Sequence, residues 1–257
     1  MTVRNFLIRG LVAGFAAGLF TFLIANVFGE PSIDAAIAIE VAGVAAEPHE
    51  EVPAAGHDDD GTEVSRTAQK VWGLATAMLT VGPALGALVA LVAAVVLGRI
   101  GRLTPTQSTA LVTLLGFVAV SLVPFLKYPS TPPAVGNEDT IGSRTTNYFI
   151  YMLLSVVAIA AAVALARYLL SRRGVFQAVV ISAVAYLVVV VVAGQLMPTV
   201  NEIGDFPGQT LWEFRRASLI TLATMWAVIG VVLTALIGRL HERENRAAAR
   251  RELAASL

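Results

Sequence analysis

Long apolar stretches free of Asp, Glu, Lys and Arg alternate along the chain with short charged ones. Six such stretches stand out, at 10–29, 71–98, 103–126, 145–166, 174–201 and 217–238, each 20 to 28 residues long. A helix rising about 1.5 Å per residue needs about 20 apolar residues to cross about 30 Å of hydrocarbon. Each stretch is therefore long enough to be a span, and none alternates polar with apolar positions as a barrel strand does. Spans are expected at about 5–28, 71–98, 104–126, 146–168, 174–197 and 216–238. The first has an apolar core longer than the roughly 7–15 residues of a cleaved signal, so it is kept as a helix. The expected fold is an all-α integral membrane protein, a bundle of six transmembrane helices with structured outer loops.

Composition agrees. Of 257 residues 56% are hydrophobic and only 14% charged, with a mean hydropathy of +0.74. That leaves too little polar surface for a water-soluble domain. The absence of cysteine excludes a disulfide scaffold, a zinc ribbon, an iron–sulfur site and a cysteine nucleophile. Net charge is zero, which leaves no basic excess for nucleic acid.

That zero hides a separation. The N-terminus, the 99–102 and 167–173 turns and the 239–257 tail hold twelve of eighteen basic residues and three of eighteen acids, a sum of +9. The remaining connections carry −9. Lys and Arg near span ends accumulate on the cytoplasmic side, so both termini are expected inside. The chain is then a multi-pass membrane protein, with 30–69 as an acidic, His-containing outer loop and 239–257 as a basic cytoplasmic tail.

Within the spans, Gly10, Gly14 and Gly18 recur every fourth residue, and Gly82-Pro83 and Gly86 repeat that spacing in the second span. Small residues on one face let helices approach closely in lipid, where apolar side chains gain nothing from hiding from each other. Pro83 and Pro124 each remove a backbone donor, freeing a carbonyl that can line a cation path. No ionised residue sits deep within a span. A proton relay through the bilayer would need one.

The candidate chemistry lies outside. Residues 30–46 are helix-forming, with Glu30 and Asp34 one turn apart and Glu40 offset, as in a helix at the membrane surface or folded back on the bundle. Beyond them His49, Glu50, Glu51, His57, Asp58, Asp59 and Asp60 cluster in a Pro- and Gly-punctuated stretch. Imidazoles beside carboxylates make labile ligands for a borderline divalent cation such as cobalt, nickel or zinc. An acidic face also concentrates such cations near the membrane. In 127–145, three prolines exclude a regular helix, and Lys127 and Arg144 are expected to pair with Glu138 and Asp139. In 197–219, Glu202 and Glu213 complete the acidic mouth, Trp212 anchors the span end, and Arg215 and Arg216 are expected to find Glu202 or Glu213 as partners.

The stretches FGEPSIDAAIAIE, KYPSTPPAVGN and NEIGDFPGQTLWEFRRASL, with a His/Asp-bearing first outer loop, resemble the CbtA group of predicted cobalt transporter subunits. The likeness runs over essentially the whole chain, and the Phe-Pro…Leu-Trp-Glu-Phe-Arg segment is its most specific part. It implies cobalt uptake across a bacterial cytoplasmic membrane, supplying corrin synthesis, and a small single-span partner, CbtB, with a His-rich tail. It also implies five spans, where six are counted here. Only His49 and His57 stand where other members carry a denser histidine cluster, which shifts weight to the carboxylates.

The expected function is thus a non-enzymatic membrane subunit for uptake of a divalent metal, most readily cobalt as the transported ion. No cofactor is expected to be tightly bound. Expected partners are lipid, a CbtB-type subunit and a second copy of the chain, and not nucleic acid. No GxxxxGK[ST] phosphate loop is present. The alternatives are a structural or assembly subunit of a larger membrane complex, and a membrane enzyme using carboxylates near Glu202 and Glu213.

Overall fold

The computed structural model describes residues 2–46 and 65–256, and among these every regular element is helical. Helix α1 (Val3–Ile24) opens at Thr2, whose hydroxyl accepts the Asn5 amide N–H, and a π-helical turn, Ala25–Gly29, leads into α2 (Glu30–Ala46). A short α3 (Arg66–Ala68) and a second π-helical turn, Gln69–Gly73, precede α4 (Leu74–Val96). Helix α5 (Pro105–Gly116) starts at a reciprocal cap in which Thr104 and Gln107 satisfy each other's backbone N–H. A third π-helical turn, Phe117–Leu122, joins it to α6 (Val123–Lys127). A 3-10 turn at Glu138–Thr140 then leads into α7 (Ile141–Leu170), followed by α8 (Val175–Leu196) and α9 (Gly208–Ala255).

Six helical runs are long and apolar enough to cross a membrane: Val3–Gly43, Gln69–Val96, Pro105–Lys127, Ile141–Leu170, Val175–Leu196 and Gly208–Ala255. The all-helical, six-helix expectation is met among the described residues. Two runs far exceed the bilayer. The first has 41 residues and the last 48, about 60 and 70 Å at 1.5 Å per residue. Residues 30–46 accordingly continue the first helix, and this segment folds against α9 with Ser32 and Ala36 buried. Residues 239–255 likewise continue α9 as helix.

The tightest contact is between α1 and α4, which run antiparallel. Gly10 faces Gly86 and Ala90, Gly14 faces Gly82 and Pro83, and Gly18 faces Met78. Backbone lies on backbone, so the two glycine series interlock, and Pro83 sits inside an unbroken α4 as part of that contact. Helix α9 packs on α1 and α5 through Met225, Trp226, Ile229, Leu233 and Ile237, which recur at three- and four-residue steps and are all buried. The Trp226 indole donates to Ser121 Oγ at 2.8 Å, while its ring fills the space beside Gly116. Helices α7 and α8 form a second layer. Tyr151 donates to the Val190 carbonyl at 2.9 Å, and Ser155 and Tyr186 share a hydrogen bond of 2.8 Å.

This pairing sorts the connections. Gly10 lies beside Ala90, and Gly238 beside Thr106, so the N-terminal residues, the 97–104 turn and the extension of α9 share one end with the 171–174 turn. The connections 128–140 and 197–207 lie at the other end with α2 and α3. The twelve basic residues counted above therefore gather at one end of the bundle, and Glu30, Asp34 and Glu202 at the opposite one.

Candidate functional site

At the end that carries the 128–140 and 197–207 connections, a cavity of about 680 Å³ opens between α1–α2, α6–α7 and α9. Much of its wall is apolar, with Ile33, Met78, Phe125 and Phe214 among the lining side chains. Into this wall are set Glu30, Lys127, Arg144, Glu202 and Arg215.

On one side, Glu30 is the first residue of α2 and only 3% exposed. The Arg66 guanidinium donates to Glu30 Oε2 at 2.5 Å and reaches Asp34 Oδ1 through Nη2 and Nε at 2.9 and 3.1 Å. Lys70 Nζ donates to Asp34 Oδ2 at 2.8 Å. Two acids four apart on one helix thus meet two bases four apart at the start of the next, because both pairs stack along a helix face. These ion pairs tie the two arms together at the end of the bundle opposite Gly10 and Ala90.

On the other side, Glu202 Oε2 accepts from the Asn137 amide at 3.1 Å and from Thr140 Oγ1 at 2.9 Å, with Arg144 Nη1 at 3.5 Å. The Thr140 hydroxyl, the Asn137 N–H and the Arg144 charge, in that order, hold its carboxyl below the ordinary value of 4.5. Arg144 lies against Gly136, whose φ of +119° only glycine adopts without strain. A Cβ there would stand 2.8 Å from Arg144 Nη2. Lys127 Nζ donates to the Met197 carbonyl at 3.3 Å, and Tyr128 Oη to the Pro198 carbonyl at 2.9 Å. Burial pushes the Tyr128 phenol upward. Together these bonds fasten the two connections over the cavity.

Of the carboxylates expected at the mouth, Glu30 and Glu202 line the cavity and Asp34 stands beside it, each engaged by a cation. Glu40 is exposed farther along α2. Glu213 accepts from Gln209 Nε2 at 3.1 Å on the first turns of α9, outside the cavity lining. His49, Glu50, Glu51, His57, Asp58, Asp59 and Asp60 lie outside the described residues. Among the described residues no three His, Asp or Glu side chains gather into a metal-binding group. Trp212 and Arg216 are exposed on α9, while Gly14, Gly18 and Pro83 serve the α1–α4 contact.

The pairing expectations need correcting. Arg144 goes to Glu202 and Lys127 to a carbonyl, because the fold brings the 197–207 connection across the 128–140 one. That leaves Arg215 without the Glu202 carboxylate, and among the described residues neither Arg215 nor Arg216 has an acid within 4.0 Å. Reasoning from sequence missed Lys127, Arg144 and Arg215 as cavity-lining cations. Their placement on the acid-rich end, against the usual distribution of basic residues, was the available signal.

A family model for a probable cobalt transporter subunit (CbtA) matches residues 3–238. No curated protein matches the chain, and no solved structure does.

Proposed function

The chain belongs to the CbtA family, and from that premise we propose that it is the membrane subunit through which a divalent transition-metal cation, cobalt, enters a bacterial cell. The family match across residues 3–238 is the observation that carries this reading. Six apolar helices of membrane-crossing length supply the setting. The charge separation between the two ends of the bundle supports an orientation with both termini in the cytoplasm.

In this reading His49, His57 and Asp58 to Asp60, with Glu50 and Glu51, collect the metal as labile ligands. It then passes to the carboxylates of the mouth, Glu30, Asp34, Glu40, Glu202 and Glu213. Arg66, Lys70 and Arg144 hold Glu30, Asp34 and Glu202 in place, and the arriving cation competes with them for carboxylate oxygens. Inward movement of two positive charges down a membrane potential releases about 4.6 kcal/mol per 100 mV. A single-span CbtB-type subunit is the proposed partner, and the chain performs no chemistry on its cargo.

The test is uptake of radioactive cobalt at nanomolar concentration by cells with and without the gene. Faster uptake with the gene supports the proposal, and equal uptake rejects it. Glu30→Ala, Glu213→Ala and a His49/His57 double alanine variant should each slow uptake. If all three transport normally, the route lies elsewhere.

A further inference from the structure

We infer that the cavity at the loop-bearing end holds an anionic group, a carboxylate or phosphate, between Lys127 and Arg215. Charge is the first argument. Three cations and two carboxylates line the cavity, but the carboxylates are already engaged: Glu30 by Arg66, which reaches it from α3, and Glu202 by Arg144, Thr140 and the Asn137 amide. Among the described residues Lys127 and Arg215 remain without a carboxylate. Lys127 donates to the Met197 carbonyl and rests on the Tyr128 ring, which leaves two of its three N–H donors uncommitted. Among the described residues the Arg215 side chain makes no hydrogen bond, ion pair or ring contact.

Hydrogen bonding is the second argument. Among the described residues, six buried side-chain polar atoms have no partner, and three of them belong to this one cavity: Ser130 Oγ, Arg144 Nε and Arg215 Nε. All three carry a proton to donate. The other three are hydroxyls of helix residues Ser108, Ser182 and Thr234. Buried donors without acceptors are uncommon in folded proteins, and a guanidinium without a counter-ion is costlier still. An oxyanion answers both deficits at once, because its oxygens accept several N–H and O–H bonds while its charge balances the surplus cations. The apolar wall, with Met78, Phe125 and Phe214, lowers the local dielectric around such a contact and strengthens it. A bare divalent cation would not satisfy these groups, since the unpartnered buried side-chain atoms of the cavity are all donors. The inference concerns Lys127, Arg215 and Ser130, side chains other than the metal ligands proposed above although Glu30 and Glu202 line the same cavity, and it does not rest on cobalt being the cargo.

Two sources supply this chemistry, a phospholipid headgroup and a soluble anion. The purified full chain in mild detergent distinguishes them. Native mass spectrometry reads co-purified phospholipid, and calorimetric titration of the delipidated protein with citrate and with inorganic phosphate reads soluble anions. Retained phospholipid that is lost in Arg215→Gln identifies a headgroup. Citrate or phosphate binding that weakens with salt, and weakens at least tenfold in both Arg215→Gln and Lys127→Gln, identifies a soluble anion. Ser130→Ala, which leaves the charges in place, is expected to weaken it about threefold and remains informative if an arginine variant fails to fold. Absence of all three ligands from the wild-type protein overturns the inference, as does binding that changes less than twofold in every variant. Cobalt uptake is read separately, so either result can fail alone.

Discussion

Replacing Gly14 by alanine adds one methyl group at the centre of the α1–α4 contact. That carbon would stand 2.7 Å from both the carbonyl carbon of Gly82 and Cα of Pro83, and nearer still to the Gly82 oxygen. Ordinary van der Waals contact begins at 3.4 Å, so the helices must part by at least about 0.7 Å. The obstructing atoms are backbone in an unbroken helix, so no side-chain rotation relieves the clash. The opening is shared by Gly10 against Gly86 and Gly18 against Met78, one turn away on either side. Overpacking costs about 1–3 kcal/mol, and with rigid backbone on both sides the upper end applies. Alanine's better helix propensity returns about 1 kcal/mol. The net expectation is destabilisation by about 2 kcal/mol, roughly 30-fold in the unfolding equilibrium. Gly142→Ala is the control, since a Cβ at Gly142, in the first turn of α7, meets nothing within 4 Å. The assay is unfolding of the purified protein in mixed micelles by added SDS, followed by helical circular dichroism and by fluorescence, which includes the signal of buried Trp226. If Gly14→Ala and Gly142→Ala unfold within 0.5 kcal/mol of each other, roughly a twofold difference in equilibrium, the interlocked-glycine argument is refuted.

Two further outcomes follow from the cavity rim. Glu202 has a folded pKa depressed below 4.5 by Thr140, Asn137 and Arg144, so its contribution to stability is fully present above about pH 4.5 and fades as pH falls through the folded value. Glu202→Gln should therefore melt below the wild type at pH 7, with the gap closing under acid. A gap that stays constant down to pH 3 would exclude this linkage. Removing Arg66 leaves Glu30, 3% exposed, without its cation. Because Arg66 itself is partly exposed, Arg66→Ala should cost about 2 kcal/mol, between the values for surface and buried pairs. Adding Glu30→Gln should recover part of that loss, and a double-mutant cycle showing simple additivity would dismiss the coupling.

Much of the architecture was legible because bilayer thickness acts on sequence directly. A 20-residue stretch without charge has few folded options in lipid, and the six expected helices appear among the described residues. The glycine register was legible for a similar reason. Gly10, Gly14 and Gly18 share a face in any α-helix, and only small residues let backbones touch. The family resemblance, carried by the Phe-Pro…Leu-Trp-Glu-Phe-Arg segment, also holds. The same local rule placed Glu30 and Asp34 side by side. It said nothing of Arg66 and Lys70, which meet them only because the two helices form a hairpin.

The linear order of apolar and charged residues by itself determined the class of fold, the number of long helices, the small-residue faces open to close packing and the division of charge between the bundle's ends. All of these depend on periodicity and span length, which need no knowledge of distant partners. Tertiary structure alone decided which charges meet. Arg144 reaches Glu202 across about sixty residues of chain, leaving Arg215 in a lined cavity without a counter-ion among the described residues. Ion pairs at a bundle's mouth are set by how two loops cross, and loop crossing leaves no periodic trace in the sequence.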